Sequence, residues 1–278
     1  MTWARRLVGW PGAARVVAVV VLVVAAVLAT VPSVRSPHEL APGELGVVAL
    51  GDSVPTGYGC DCDSFARMVA DRLGPEVGRP ARLVNEAVNG ASSGDVLALV
   101  SHTPVVSELR QASLVLLMVG ANDVPLDHET GSACAAVGRN SCLAPRLSAL
   151  RAALSTTVGE VRDASPKSVV ALVGYWNVGV DGDEARSRGE DFLANSRSVT
   201  RSVNATIADV ARSTGSVYVD GAAALLGPDG SRDPTPDLQD DGDHPDESGN
   251  QRLAAATMDA LATSGALATL RERSVAGR

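Results

Sequence analysis

The sequence predicts an α/β fold in which parallel strands alternate with helices that pack on both faces of one sheet. Two observations lead to this prediction. Short apolar runs of strand length recur along the chain, at residues 46–50, 82–88, 114–119, 168–173 and 216–220. Between them lie longer segments in which apolar residues return every three or four positions, the spacing of a helix with one buried face.

The first strand is predicted from Gly46 to Leu50, because this run is apolar throughout and ends at Gly51-Asp52. A continuous apolar run without alternation is typical of a parallel sheet that helices cover on both faces. In an open sheet of this kind, ligands bind beyond the carboxyl ends of the strands. Residues that follow the apolar runs are therefore the first candidates for function.

The segments between the runs predict amphipathic helices, each with an apolar face. The three clearest sets are Phe65, Met68, Val69 and Leu73; Leu147, Leu150, Leu154, Val158 and Val161; and Phe192, Val199, Val203, Ile207 and Val210. A closing helix is predicted from Asp246 to Ala262, since its acidic first turn suits the amino end of a helix.

Composition sets the expected domain boundaries. In residues 1–36, clustered arginines precede an uncharged, largely apolar stretch at 16–34. This arrangement is typical of a signal peptide or a retained signal anchor. Residues 37–45 are expected to be a linker, residues 46–265 one domain, and residues 266–278 a C-terminal tail. We expect the protein to be exported, and either secreted or anchored to the outer face of the cytoplasmic membrane by residues 16–34.

Charge restricts the possible partners. The whole chain carries −8, and because residues 1–36 hold four arginines and no acid, the rest carries −12. A strongly acidic domain does not suit nucleic acid or an anionic membrane surface, so we expect a small-molecule substrate, no membrane contact beyond the N-terminal segment, and a monomer. Residues 51–59 contain glycines but no lysine, which excludes a Walker-type phosphate loop.

The cysteines predict disulfides rather than a metal site. An even number of cysteines, Cys60, Cys62, Cys134 and Cys142, in an exported chain favours disulfide bonds, with three possible connectivities. Cys134 with Cys142 would close a short polar loop and is the more natural pair, whereas Cys60 with Cys62 would close a tight ring. Zinc ligand spacing is not matched, and the acidic run from 237 to 247 lacks the spacing of an EF-hand loop. We therefore expect no metal and no cofactor.

Residues with chemical potential follow the predicted strands in a fixed order. Ser53 follows the first strand, Gly90 the second and Asn122 the third, while His244, with Asp241 three residues before it, precedes the closing helix. Each residue alone is a weak signal, since glycine and short polar residues are ordinary in turns. The ordered set is specific, because the topology brings all of its members to one edge of the sheet.

This set resembles the SGNH/GDSL hydrolase superfamily of serine esterases and lipases, whose four sequence blocks carry a nucleophilic Ser, a Gly, an Asn and a His. Ser53, Gly90, Asn122 and His244 match these blocks, and the resemblance covers residues 46–262. It implies a flavodoxin-like, three-layer αβα fold with a five-stranded parallel sheet. The opening block looks like that of an exported bacterial subgroup.

The chemistry accounts for the same residue types. A Ser hydroxyl is a poor nucleophile until an imidazole removes its proton, so Ser53 is expected to need His244 as its base. Asp241 would hold the imidazole in the required tautomer. The backbone N–H groups of Ser53 and Gly90, with the side-chain amide of Asn122, are expected to stabilise the negative charge that develops on the substrate oxygen.

Three further residues are candidates for the site. His128 is the rival base, but Asp127 is adjacent to it and points the wrong way to orient it, so His244 is favoured. Tyr175 and Trp176 follow the fourth strand and are candidates for lining an acyl or leaving-group pocket. For Trp176 the alternative is a rim position that covers the core.

The sequence therefore predicts an extracytoplasmic serine ester hydrolase that works through an acyl-enzyme on Ser53. The activity could be that of an esterase, a lipase or a carbohydrate deacetylase. Two alternatives stay open at this point: an acyltransferase that uses the same site, and a non-catalytic ligand-binding surface module. A decayed site would be expected to lose one of the four motif residues, and all four are present, which favours an enzyme.

Overall fold

The computed structural model describes residues 40–133 and 142–276, with side chains to residue 272. At its centre is a parallel sheet of five strands in the order β2-β1-β3-β4-β5. The strands are β1 (Leu45–Gly51), β2 (Ala81–Asn85), β3 (Ala112–Met118), β4 (Val169–Val173) and β5 (Val217–Val219). The predicted α/β fold with a five-stranded parallel sheet is confirmed.

The register of the central strands decides which loops meet. β1 lies between β2 and β3, and all of its residues are buried. Gly51 pairs with Met118, so the chain leaves β1 and β3 at the same level. β2 ends at Asn85, earlier than predicted, yet the Val88 N–H still donates to the Gly51 carbonyl at 2.9 Å. The loops after these three strands therefore converge at one edge.

Helices cover both faces of the sheet. In the part of the chain that is described they are α1 (Ser53–Thr56), α2 (Phe65–Val77), α3 (Ser93–Leu99), α4 (Thr103–Leu109), α5 (Leu143–Ala164), α6 (Gly182–Ser187), α7 (Glu190–Thr214), α8 (Gly221–Leu226), α9 (Glu247–Thr263) and α10 (Ala266–Ala276). α2 packs against α9, and α5 packs against α3 and α7. Right-handed crossovers place these two groups on opposite faces, which gives three layers.

The predicted apolar faces form the core. In α2, Phe65, Val69 and Leu73 are buried, while Met68 is partly buried against the same cluster. The apolar residues predicted for the face of α7 are likewise buried. The helices therefore follow the 3.6-residue pattern of the sequence, and burial of that face is their main source of stability.

The domain extends beyond both predicted boundaries. Residues 266–276, expected to be a tail, form α10, in which Leu267 and Leu270 are buried in the main core. At the other end, Leu40 already donates its N–H to the Gln111 side chain at 3.0 Å, within the segment expected to be a linker. The boundaries at 265 and 46 are therefore wrong, because tertiary contacts order segments whose own pattern is weak.

The apolar stretch at residues 16–34, predicted to belong to a signal peptide or a signal anchor, lies outside the described residues. Among residues 40–133 and 142–276, no single helix is long and apolar enough to cross a membrane. α9 and residues 266–272 meet the length and composition criteria only as a pair that is bent by 76°.

Candidate active site

Ser53 begins a one-turn helix at the carboxyl end of β1. Asp52 caps the amino end of α1, and its carboxylate accepts the Val54 N–H at 3.1 Å. Gly51, at φ 143°, lies so close to β3 that a Cβ at this position would be 1.9 Å from the Met118 carbonyl oxygen. Glycine therefore allows β1 to remain paired with β3 up to the turn, and the turn presents Ser53 at the edge of the sheet.

His244 reaches Ser53 from a distant part of the sequence. Its Nε2 lies 2.8 Å from Ser53 Oγ, and its Nδ1 lies 2.7 Å from Asp241 Oδ2. With Nδ1–H donating to the carboxylate, Nε2 is left as the acceptor for the Ser53 hydroxyl. The His244 side chain is 12% exposed, so most of the ring is covered by the protein.

Asp241 is suited to hold the imidazole because it stays ionised. Partial burial raises the pKa of Asp241, but hydrogen bonds from the His244 backbone N–H and ring lower it by more. The pKa of this carboxyl therefore lies below its ordinary value. Asp241 Oδ1 accepts the His244 N–H at 3.0 Å, so one carboxylate fixes both the backbone and the ring of His244.

The loop that carries His244 is closed at its base. Gln239 N–H donates to the His244 carbonyl at 2.9 Å, and Asp246 N–H donates to the Asp237 carbonyl at 3.0 Å. The Asp237 side chain is buried and accepts from Arg252 Nε of α9 at 3.0 Å. These contacts fix the loop to the rest of the domain.

A tight turn lies next to Ser53 on the other side. Gly90 has φ 75°, a conformation that glycine adopts without steric penalty, and the Ala91 N–H closes the turn on the Val88 carbonyl at 3.0 Å. Thr56 Oγ1 of α1 donates to Asn89 Oδ1 at 2.6 Å, which ties this turn to the Ser53 helix. Within residues 40–133 and 142–276, no group accepts the N–H of Ser53 or of Gly90.

Asn122 lies in a 3-10 turn (Ala121–Asp123) that follows β3. Its Nδ2 donates to the Ala91 carbonyl at 3.1 Å, so the amide is fixed against the turn that carries Gly90. An amide nitrogen has two hydrogens, and the second is free of this bond. The neighbouring Asp123 anchors the start of α3 by accepting the Ser93 N–H at 2.9 Å.

The structure brings the predicted residues of the four blocks together and leaves the rival base apart. His128 is exposed, and the base hydrogen-bonded to Ser53 is His244. No group of three or more His, Cys, Asp or Glu side chains in the described ranges is placed to hold a metal ion. The arrangement is that of a Ser-His-Asp triad beside free hydrogen-bond donors, which can attack a carbonyl and stabilise the resulting oxyanion.

Comparison with known families decides the assignment. A sequence model of the GDSL-like lipase/acylhydrolase family matches residues 49–252, which include Ser53, the two turns and His244. The chain belongs to this family. It is accordingly a hydrolase of carboxylic ester bonds. No curated protein is similar enough to add to this comparison.

Solved structures share the fold of this GDSL-like hydrolase. The lipase Lip_vut3 from a goat rumen metagenome is 14% identical with a TM-score of 0.61, over 78% of this chain and 97% of that one. Axe2, an acetylxylan esterase from Geobacillus stearothermophilus, is 20% identical with a TM-score of 0.54, over 80% and 96%. The psychrotrophic esterase EstA from Pseudoalteromonas sp. is 15% identical with a TM-score of 0.51, over 78% and 97%.

Tyr175 and Trp176, the candidates for lining an acyl or leaving-group pocket, are both buried. Both side chains are 1% exposed and pack in the core of the hydrolase. Tyr175 Oη donates to Asp52 Oδ2, so the phenol lies beneath the nucleophile turn. For Trp176, the buried position agrees with the alternative that it covers the core.

Asp52 is a residue of the site that the sequence analysis did not assign. Its side chain is 1% exposed and links β1, α1 and Tyr175. Burial raises its pKa to about 6, against the lowering effect of hydrogen bonds from Tyr175 and Val54. An Asp directly before a one-turn helix is a typical N-cap, which is the signal that could have identified it.

The structure contains a disulfide beside the active site. Cys60 and Cys62 are bonded to each other, with 5.1 Å between their Cα atoms, a separation within the ordinary range. The turn after α1 brings the two residues to bonding distance, although the ring that they close is tight. Cys142 is also disulfide-bonded, and its expected pairing with Cys134 lies outside the described residues.

Proposed function

We propose that this hydrolase acts outside the cytoplasm and hydrolyses small or medium acyl esters through an acyl-enzyme on Ser53. The observation that carries the proposal is the continuous set of contacts from Ser53 Oγ to His244 Nε2 at 2.8 Å and from His244 Nδ1 to Asp241 at 2.7 Å. These distances allow proton transfer without a movement of the main chain.

In the first half of the reaction, His244 Nε2 takes the proton of Ser53 as Oγ bonds to the carbonyl carbon. The carbonyl oxygen becomes an oxyanion and accepts the N–H groups of Ser53 and Gly90, with the second amide hydrogen of Asn122. The bond between the carbonyl carbon and the alcohol oxygen then breaks, and the imidazolium gives its proton to the leaving alcohol. Asp241 stabilises the imidazolium while it exists.

In the second half, water takes the place of the alcohol. His244 removes a proton from this water as its oxygen attacks the acyl carbon, and the oxyanion forms in the same position. When the bond to Oγ breaks, Ser53 regains its proton from the imidazolium and the acid is released. An alcohol in place of water would make the enzyme an acyltransferase, so the identity of this second acceptor decides between the two activities.

A cavity beside Gly90 supports the proposal that the acyl group is small or medium in size. It has a volume of about 310 Å³, and its apolar wall comes from Val88, Val96 and Leu99. Asp95 and His102 also line it. The cavity adjoins the turn that would receive the oxyanion, so an acyl chain could extend into it while its carbonyl faces Gly90.

Two features support export. The disulfide between Cys60 and Cys62 is of a kind that persists in oxidising compartments. Residues 16–34 have the apolar composition of a signal peptide or anchor. We propose a monomer that is secreted or held at the outer face of the cytoplasmic membrane by this segment.

Hydrolysis of p-nitrophenyl esters from acetate to decanoate by the full chain tests the proposed activity. Ser53→Ala should lower kcat by about 10⁴-fold or more, because the whole triad acts through this oxygen. Rapid acid quenching with acetate ester, followed by mass spectrometry, should find one acetyl group on the peptide that contains Ser53. Retention of the wild-type rate by Ser53→Ala, or acetylation at another residue, would contradict the mechanism.

A further inference from the structure

Two large apolar side chains are more than half exposed, and both flank the nucleophile. Among residues 40–133 and 142–272, Tyr58 is 51% exposed and Val88 is 52% exposed. Tyr58 follows α1, whereas Val88 begins the turn that carries Gly90. Single exposed apolar residues are common, but these two both lie next to the nucleophile turn, whereas the other large apolar side chains of the described residues are buried or partly buried.

Tyr58 lies against the catalytic imidazole. The centroids of the Tyr58 and His244 rings are 4.9 Å apart, and the ring planes are tilted by 52°. The Tyr58 N–H donates to the Ser53 carbonyl at 3.1 Å, and its carbonyl accepts from Gln239 Nε2 at 2.9 Å. The backbone of Tyr58 is therefore fixed to both the nucleophile helix and the His244 loop, while its ring faces solvent.

The direction of proton transfer fixes which part of a substrate meets this ring. His244 Nε2 must donate to the oxygen of the leaving alcohol, so that oxygen has to come within about 3 Å of Nε2. The carbonyl oxygen points instead toward the N–H groups of Ser53 and Gly90. The alcohol part of the ester therefore leaves the reacting centre on the side of His244, where the Tyr58 ring lies.

We propose that Tyr58 forms one wall of the alcohol subsite and favours esters whose alcohol presents a flat apolar face, such as an aromatic ring or the C–H face of a sugar. This inference rests on the proposed acyl-enzyme function and adds the substrate class at that site. An exposed aromatic ring gives a planar partner large contact area and little loss of side-chain freedom.

The test separates the alcohol step from the acyl step. Benzyl acetate and allyl acetate carry the same acyl group on alcohols of similar acidity, but only benzyl alcohol has a ring. Both esters form the same acetyl-enzyme, so the rate of deacylation cannot depend on the alcohol. We would measure kcat/KM for each ester, and deacylation separately, with the full chain and with Tyr58→Ala, Tyr58→Phe and Val88→Ala.

Tyr58→Ala should lower kcat/KM for benzyl acetate about fivefold to tenfold more than for allyl acetate, the effect of one aromatic contact. The deacylation rate should stay the same, and Tyr58→Phe should keep the preference for the benzyl ester. Val88→Ala is the matched control, since it removes an equally exposed apolar side chain on the Gly90 side. It should change kcat/KM for both esters by the same factor.

Two results would overturn the inference. If Tyr58→Ala leaves the ratio between the esters unchanged, the ring does not contact the alcohol. If it lowers both esters equally and also slows deacylation, the ring only orients His244. Ser53→Ala distinguishes these results from failure of the proposed function. If Ser53→Ala is active, both the acyl-enzyme mechanism and the role of Tyr58 are refuted. If Ser53→Ala is inactive and Tyr58→Ala leaves the ratio of kcat/KM between the two esters unchanged, only the role of Tyr58 is refuted.

Discussion

Replacement of Asp52 by Asn should stabilise the protein at neutral pH and not at acid pH. Asp52 lies in the core, 1% exposed, and burial raises its pKa from an ordinary value of 3.8 to about 6. Hydrogen bonds from Tyr175 and Val54 lower this pKa, but not enough to offset burial. At neutral pH the folded protein therefore holds an ionised carboxylate that would be more favourable in water.

The magnitude follows from linkage between proton binding and folding. Because the pKa of Asp52 is higher in the folded state, the folded state binds the proton more tightly, and the contribution of Asp52 to stability is greatest below pH 3.8. That contribution is lost as the pH rises through about 6. The difference between pKa 3.8 and about 6 corresponds to about 3 kcal/mol, most of which is lost between pH 4 and pH 7.5.

Asn keeps the shape and the N-cap function of Asp52 without its charge. Its Oδ1 can still accept the Val54 N–H, and Asn and Asp are similarly good N-caps. The amide would accept a weaker hydrogen bond from the Tyr175 hydroxyl than the carboxylate does, which costs about 1 kcal/mol of stability at every pH. We therefore expect Asp52→Asn to be more stable than the wild type by about 2 kcal/mol at pH 7.5, and no more stable at pH 4.

Urea denaturation at pH 4 and pH 7.5 measures this difference, provided that the slope of the transition is the same for both proteins. Asp220→Asn is the matched control, since Asp220 also caps a helix after a strand but is exposed. Asp220→Asn removes the same charge from an exposed helix cap, so it reports the effect of the substitution without the burial. If Asp52→Asn showed the same difference from the wild type at both pH values, burial of the charge would not be the cause.

Three further changes probe how the site is built. Asp241→Asn should lower kcat about 10⁴-fold and leave KM nearly unchanged, because the imidazole loses its required tautomer; a small loss of kcat in ester hydrolysis would argue against this role. Arg197→Ala leaves the fully buried Asp181 without its ion pair and should lower the free energy of unfolding by about 3 to 5 kcal/mol in urea titrations. Gly90→Ala meets no neighbouring atom within 4 Å, so only its φ of 75° should reduce stability, by about 1 to 2 kcal/mol; a larger loss would indicate a contact at this position.

The sheet and the meeting of Ser53 with His244 could be predicted from the sequence. Unbroken apolar runs separated by helical patterns leave few topologies other than a parallel sheet with right-handed crossovers. In such a sheet, residues that follow β1, β2 and β3 must reach the same edge. The order of the motif residues along the chain was therefore enough to predict that Gly90 and Asn122 would lie beside Ser53.

The same rule failed for Tyr175, and the reason is geometric. Position after a strand fixes the level of a residue along the sheet, but it does not fix the direction of its side chain. β4 ends at Val173, and the chain then turns so that the phenol of Tyr175 points inward to Asp52. Nothing in the local sequence distinguishes an aromatic residue that faces a substrate from one that supports the nucleophile turn from below.

α10 could not be predicted for a different reason. Its sequence places few apolar residues at helical spacing, so the segment resembles a polar tail. The structure orders it through Leu267 and Leu270, which reach the core, and through Arg271 Nε, which donates to the Glu76 carbonyl at 2.7 Å. A helix held by a few buried side chains and surface contacts depends on the helix it packs against, and its own sequence pattern does not show that dependence.

Buried carboxylates hold the loops of the active site in position, although burial of their charge lowers the stability of the fold. Asp52 supports the turn of Ser53, and Asp237, at the start of the His244 loop, pairs with Arg252. Apolar packing of the same volume could make such positions more stable, since ionised groups lose hydration when they are buried. Hydrogen bonds to a carboxylate are directional, however, and apolar contacts are not. A gain in stability for Asp52→Asn together with a loss of kcat would therefore show that this buried charge serves the position of Ser53 rather than the stability of the fold.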